Sequence, residues 1–180
     1  AKQGRLQRRC LDVEKSQPKD VREIARIYLE AIRDTYRQIL PDKYFASQTA
    51  EKAEKIWMDF LKKPDAECLV WEQEGVVTAF AGVRCKGERV MNLSSLYVDR
   101  CCRGNGIGKR MIRAVLENAE TKSFEGVTIS VVLQNKRAKG LYEHMGAVFQ
   151  KTFTYYFDDY PVECGEYLWD LSQHTVAENT

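Results

Sequence analysis

The chain has 180 residues, 44% of them apolar and 30% charged, with a formal net charge of +2. These values describe one ordinary globular domain with enough apolar material for a core, spanning residues 1–180, and speak against a disordered or membrane protein. No apolar run approaches the roughly 18 residues of a membrane-spanning helix, and the interspersed charges leave no basic footprint for nucleic acid.

The basic start AKQGRLQRR is not followed by an apolar signal segment. Arg9 to Glu14 alternates weakly and predicts a first edge strand, with Leu11 and Val13 on one face. Pro18 stands at the first position of a predicted helix, with Asp20 in its first turn near the positive end of the dipole. Val21, Ile24, Tyr28, Ala31 and Ile32 continue it at helical spacing, and Pro41 requires it to end before that point. The connection Thr35 to Phe45 is unusually aromatic. Ser47 is the expected cap of a second helix carrying Ala50, Ala53, Ile56, Trp57, Phe60 and Leu61, which Pro64 stops.

Two strands, Glu67 to Glu72 and Val76 to Cys85, flank the hairpin signal Gln73-Glu74-Gly75, and a third runs from Arg89 to Val98. Asp99 to Arg103 is a polar turn leading into Gly104, Gly106 and Gly108. Ile107, Met111, Ile112, Val115, Leu116 and Ala119 then recur at helical spacing. Gly126 precedes a β-branched strand, Val127 to Leu133, and Asn135 caps a helix that closes at Gly146. Strands Val148 to Phe157 and Val162 to Asp170 end the fold, joined by Asp158 to Pro161. Ser172 to Thr180 is polar and expected to be loose. The predicted order is β-α-α-β-β-β-α-β-α-β-β, a mixed-sheet α/β (α+β) arrangement with its core at about residues 9–171.

A strand, a glycine turn and an amphipathic helix make a phosphate cradle. Glycines let backbone N–H groups approach an anion, and the helix start adds unpaired donors. The spacing is not that of a P-loop. Only three residues separate Gly104 from Gly108, and Arg110 follows Lys109 where a hydroxyl for Mg²⁺ would stand. It is not the dinucleotide fingerprint either, since Gly108 follows Gly106 by two. A glycine turn of this kind can also do no more than join strand to helix.

Arg103-x-x-Gly106-x-Gly108 resembles the pyrophosphate signature of the GCN5-related N-acetyltransferases, Gln/Arg-x-x-Gly-x-Gly/Ala, and Leu96-Tyr97-Val98 looks like that family's strand ending. Asn135-Lys-Arg-Ala138-Lys-Gly-Leu141-Tyr142-Glu-His-Met-Gly146-Ala147 is similar to its second segment, departing at Ala147 where Phe is common. The resemblance implies a GNAT-like fold in which two parallel strands splay apart and the pantetheine arm pairs with Leu96, Tyr97 and Val98. It implies acetyl-CoA as co-substrate, with its pyrophosphate on Arg103, Gly104, Asn105, Gly106, Ile107, Gly108 and Lys109, and no metal. Asn135 would pair with the pantetheine as well as cap its helix. Tyr142 matches the tyrosine that faces the CoA sulfur and would protonate the departing thiolate.

The implied activity is transfer of an acetyl group to a primary amine of a small molecule or peptide, by direct attack in a ternary complex. The alternative is an inactive acyl-CoA-binding sensor or interaction protein of the same fold. Many relatives carry a glutamate on the strand ending Leu-Tyr-Val. Here that strand holds Asn92, Ser94 and Ser95, so no general base carries over. Tyr36, Tyr44 and Phe45 are expected to wall the acceptor site, although half-buried aromatics in a helix connection are more often core. Asp158 and Asp159 could attract a cationic amine, though paired turn residues are more often plain solvated loop.

Six cysteines are scattered without any C-x-x-C spacing, and His144 and His174 are the only histidines, which disfavours zinc. Unpaired cysteines of this kind read as reduced thiols and a cytoplasmic protein, and the chain is expected to be a monomer or a homodimer. Cys101 and Cys102 sit beside the loop, where a positive field can lower a thiol pKa, although inert thiols are the expected outcome.

Overall fold

A computed structural model of the protein describes residues 13–173 apart from 86 and 88. In chain order the elements are β1 (Val13–Lys15), α1 (Val21–Tyr36), α2 (Asp42–Ala46), α3 (Ala50–Leu61), β2 (Ala66–Gln73), β3 (Val76–Arg84) and β4 (Val90–Val98). They are followed by α4 (Ile107–Thr121), β5 (Gly126–Val132), α5 (Lys136–His144), β6 (Val148–Phe157) and β7 (Tyr160–Asp170). The seven strands form one mixed sheet in the order β1-β2-β3-β4-β5-β7-β6. All pairs are antiparallel except β4 with β5. Among the described residues no helix is long and apolar enough to cross a membrane.

The differences from the sequence reading have local causes. The predicted strand portion before Val13 lies outside the described residues. Pro18–Asp20 is a short 3-10 turn rather than the first turn of α1, tied down by the Gln17 N–H donating to the Asp20 carboxylate at 2.7 Å. The aromatic connection contains α2, which Ser47 closes by donating its hydroxyl to the Tyr44 carbonyl at 2.7 Å. Ser47 is therefore not the cap of the next helix. Thr49, two residues on, has extended backbone, and its Oγ1 accepts from the Lys52 N–H at 3.2 Å. Both residue types suit a cap, and only the backbone angle separates them. The last turn is also tighter than predicted. Asp158 takes the left-handed conformation at φ 52°, so Tyr160 and Pro161 join β7.

Burial follows the helical and strand periods. α1 buries Val21, Ile24, Ala25, Ile27, Ala31 and Ile32, and with α3 covers one sheet face at Val70, Val77 and Phe80. Trp57 of α3 lies close enough to β3 that a Cβ on Gly82 would meet its ring at 3.2 Å, which accounts for glycine inside that strand. α4 covers the opposite face through Met111, Ile112 and Val115, packed on Met91, Leu93, Val127 and Ile129. Each such side chain, taken fully out of water, contributes about 1.5–3 kcal/mol. A third cluster joins α1 and the aromatic connection to the β5–β7 end, with Ile32, Leu40, Tyr44, Val132 and Val162. β6 is an edge strand with Val148, Phe149, Tyr155 and Tyr156 exposed.

The sheet is interrupted where the site lies. β4 and β5 pair only from Val90↔Gly126 to Leu93↔Ile129, with the Asn92 amide donating to Thr128 Oγ1 at 3.1 Å across that stretch. Ser94 is the extra residue of a bulge against β3, since Gly82 pairs with Ser95 and Val83 with Leu93. Its hydroxyl donates to the Gly82 carbonyl at 3.0 Å. A bulge bends its strand. Beyond it β4 stays with β3 and β5 stays with β7, so the two parallel strands part.

Candidate functional site

The gap between β4 and β5 opens into a cavity of about 590 Å³, within the usual size of a cofactor site. β4 contributes Leu96, Tyr97 and Val98 to its wall, and the following loop and helix start contribute Arg103, Gly104, Gly106, Ile107, Gly108 and Lys109. α5 adds Asn135 and Tyr142 from the far side. Of the residues singled out in the sequence, Asn105 alone does not line the cavity. It is exposed, and its side-chain amide folds back to the Cys102 carbonyl at 3.3 Å.

The loop owes its shape to backbone conformation. Gly104 and Gly106 have φ of 84° and 76°, a region costly for any residue with a Cβ. Gly106 is the residue before the first turn of α4, so the unpaired N–H groups and dipole of that helix face the loop. Gly108 serves a different purpose. It is helical, and a Cβ there would meet Leu141 at 3.6 Å and Val98 at 4.0 Å, which is ordinary contact.

β4 offers backbone to the gap. The Asp99 N–H donates to the Thr78 carbonyl at 2.8 Å. In an antiparallel ladder the direction alternates, so Tyr97 bonds β3 as Asp99 does, and the N–H and C=O groups of Leu96 and Val98 point into the gap. The Val98 carbonyl accepts from Arg103 Nε at 3.0 Å, while Arg103 Nη1 pairs with Asp34 of α1 at 2.9 Å. The Arg103 guanidinium thus fixes the turn from strand to loop, and the residue reaches the cavity wall with both of those bonds made.

A ring of opposite charges anchors the loop to α1. Arg100 pairs with Asp34 and with Glu30 (3.5 Å), and Arg26 pairs with the buried Asp99 at 2.5 Å and with Glu23 at 3.1 Å. The hydrogen bonds from Arg100 and then Arg103 hold the Asp34 carboxyl below the usual carboxylate range. Cys101 runs opposite to the expected thiol activation. Its hydrogen bond to the Asp99 carboxylate at 2.9 Å pushes its pKa up, because that contact favours the protonated thiol.

Tyr142 is buried on α5, its ring edge-on to Trp169 at 5.8 Å. Burial pushes its phenol well above the ordinary value, so it stays protonated. Asn135 caps α5, its Oδ1 accepting from the Ala138 N–H at 3.1 Å. Tyr97 turns its side chain to the α1 face, where its ring meets Tyr28 at 6.1 Å and Phe80 at 5.7 Å. Of the three aromatic residues expected at the acceptor site, Tyr36 lines the cavity, whereas Tyr44 and Phe45 pack into the cluster with Phe157 and Tyr160.

Sequence reading missed the end of β5 (Ile129 to Val132), Thr35 of α1, and Arg137, all of which line the cavity. Arg137 had a signal, since it follows the Asn135 cap in the first turn of a helix. The β5 residues had none, because a β-branched run reads the same whether or not one edge is free. Among the described residues no group of histidine, cysteine or acidic side chains is arranged to hold a metal ion.

The model of the acetyltransferase (GNAT) family matches residues 27–147, which contain the strand pair, the glycine loop and Tyr142. The chain belongs to the GNAT family. Acetyl transfer and coenzyme A binding come with that membership. Solved GNAT structures share the fold. An N-acetyltransferase of Staphylococcus aureus Mu50 is 22% identical with a TM-score of 0.68, over 88% of this chain and 97% of that one. The PaiA N-acetyltransferase of Thermoplasma acidophilum, solved with coenzyme A, is 18% identical with a TM-score of 0.70, over 86% and 96%. A variant of the spermidine N-acetyltransferase of Vibrio cholerae is 14% identical with a TM-score of 0.70, over 92% and 98%. No curated protein sequence matches the chain.

Proposed function

We propose that this GNAT chain is an acetyl-CoA-dependent N-acetyltransferase acting on a primary amine of a small molecule or peptide, by direct attack within a ternary complex. The observation that carries the proposal is the continuous wall of one cavity, from the glycine loop through the free edge of β4 to the buried phenol of Tyr142. The reading takes residues 1–180 as one catalytic domain in the cytoplasm, monomeric or homodimeric and without a metal. The described cysteines, all free thiols, agree with that compartment.

On this reading the N–H groups at Gly104 to Lys109 bind the pyrophosphate, supported by the helix dipole and the Lys109 ammonium. Arg137 stands on the same cavity and adds positive charge. The backbone of Leu96 and Val98 takes the pantetheine as if it were the next strand, and Asn135 offers its amide N–H groups, its oxygen being used as the cap. Holding the thioester beside the amine supplies rate by orientation.

The amine lone pair attacks the thioester carbonyl carbon, and the developing oxyanion takes the Val98 N–H. The C–S bond then breaks, and the electron pair leaves on sulfur. The Tyr142 hydroxyl donates its proton to that sulfur. The proton lost by the amine nitrogen goes to water, because no carboxylate lines the cavity among the described residues. Tyr142 recovers its proton from solvent after CoA departs.

Thiol release measured with acetyl-CoA and a panel of amines tests the proposal. An enzyme releases CoA with at least one amine and yields the N-acetyl product by mass spectrometry. A protein that binds acetyl-CoA by calorimetry and releases none with any amine is a sensor.

A further inference from the structure

A second cavity, of about 380 Å³, lies on the α1–α3 face of the sheet. It meets the first at two residues only, Ser94 and Ser95, which line both. These are the bulge residue and its neighbour, the point at which β4 leaves β5. A molecule in the second cavity therefore approaches the gap from the face opposite α4.

The walls are aromatic and aliphatic, with Tyr28, Trp57, Phe60 and Ile56. Among the described residues Arg84 is their only charged member, and its charge is met within the protein. Its Nε and Nη2 donate to the Asp65 carboxylate at 2.9 and 2.6 Å, and its guanidinium lies 6.0 Å from the centre of the Phe60 ring. No carboxylate lines this cavity among the described residues.

The polar end of the cavity is made by Asn92, Ser94 and Ser95. Asn92 donates its amide to Thr128, and Ser94 donates its hydroxyl to Gly82. Asn92 Oδ1 and the Ser94 oxygen lone pairs remain as acceptors, beside the second N–H of the Asn92 amide and the Ser95 hydroxyl. Acceptors at the sheet and apolar walls behind them suit an N–H donor on an apolar body. A second ammonium would be desolvated there with no counter-charge.

We infer that the second cavity is the acceptor site, and that its substrate class is a monoamine on an aromatic or aliphatic body. The amine points at Asn92, Ser94 and Ser95, and the body lies between Tyr28, Trp57 and Phe60. Polyamines are disfavoured, since among the described residues no carboxylate lines the cavity to meet a second ammonium. The inference rests on the acetyltransferase reading, and its test separates the two.

Phenethylamine and spermidine serve as probes of ¹⁵N-labelled protein saturated with CoA. Phenethylamine is expected to shift the Trp57 indole N–H and the Ser94 and Ser95 amides saturably, with spermidine binding at least about tenfold more weakly. Ile56 is 39% exposed at the rim, so Ile56→Glu leaves the fold intact. It is expected to raise KM for phenethylamine about tenfold, with kcat little changed, and to narrow the gap to spermidine. Shifts confined to Tyr36, Tyr44 and Phe157, equal or tighter binding of spermidine, or no saturable shift with phenethylamine would each overturn the inference. Saturable shifts at Trp57, Ser94 and Ser95 without thiol release from any amine would uphold the site and remove the transferase reading.

Discussion

The guanidinium of Arg103 spans from the Val98 carbonyl, at 3.0 Å, to the Asp34 carboxylate on α1, at 2.9 Å. One side chain thereby ties the end of β4, the glycine loop and the first long helix together. Asp34 also receives Arg100, so two arginines of the loop region depend on a single carboxylate.

Asp34→Asn should loosen the loop while leaving the reacting groups in place. KM for acetyl-CoA is expected to rise by about fivefold, with kcat within a factor of about two, since partly exposed pairs contribute at most about 1 kcal/mol. Hydrogen bonds from Arg100 and then Arg103 depress the Asp34 pKa in the fold. Its stabilisation is therefore complete above the unfolded carboxylate value, about 3.9, and is lost as pH falls through the lower folded value. Thermal melts of the two proteins should differ at pH 6 and begin to draw together only below about pH 4, converging once the pH is below the lowered folded value. A difference that grows on acidification would refute the assignment.

Gly106→Val and Gly108→Ala should behave oppositely. Gly106 has φ of 76°, so valine there must distort the loop, and acetyl-CoA affinity measured by calorimetry should collapse. A Cβ at Gly108 meets only ordinary contacts, at 3.6 and 4.0 Å, and the alanine variant should bind nearly as the parent does. Unchanged affinity in a folded Gly106→Val protein would show that the loop does not hold the phosphates.

Tyr142→Phe keeps the ring contact with Trp169 and removes the proton donor. With chemistry rate-limiting, kcat should fall by about 10²–10⁴, with acetyl-CoA affinity little changed. Burial raises the phenol pKa, so the parent enzyme should show no loss of kcat from tyrosine ionisation up to about pH 10. A thioester with a more acidic thiol should partly rescue the variant. Full kcat in Tyr142→Phe would make this residue a packing element.

Asn135→Ala removes the acceptor of the Ala138 N–H at the start of α5. Loss of a cap costs about 1 kcal/mol, a drop of about 2–4 °C in Tm for a chain of this size. If the Asn135 amide also binds pantetheine, acetyl-CoA affinity falls beyond what the stability change explains. Asn135→Asp preserves the cap and loses the amide donor, so it should keep Tm and still bind acetyl-CoA more weakly.

Much of this architecture is written in local periodicity and turn residues. The α4 stripe from Ile107 to Ala119, the Asn135 cap and the glycine loop could each be read from a few neighbouring positions. The Ser47 assignment failed because Thr49 is an equally good cap and the choice rests on backbone angle. The parting of β4 from β5 lay beyond local reading, since Ser94 looks like any strand serine until Gly82 and Ser95 are seen to pair. The second cavity is also a tertiary product. Tyr28, Trp57, Phe60 and Asn92 come from three separate elements, and each reads alone as an ordinary core or strand residue.

The half-open state of β4 gives one strand two rates of amide hydrogen exchange. Before Ser94, amides facing β5 are locked in the ladder and exchange only when the sheet opens. From Leu96 to Val98, amides facing the gap meet solvent directly, although their Cα partners on β3 are just as regular. In the ligand-free protein a step in protection should therefore fall in mid-strand, at the bulge. A bound pantetheine would erase that step by completing the missing edge, and deuterium uptake along nine residues would report how far along the gap the ligand reaches.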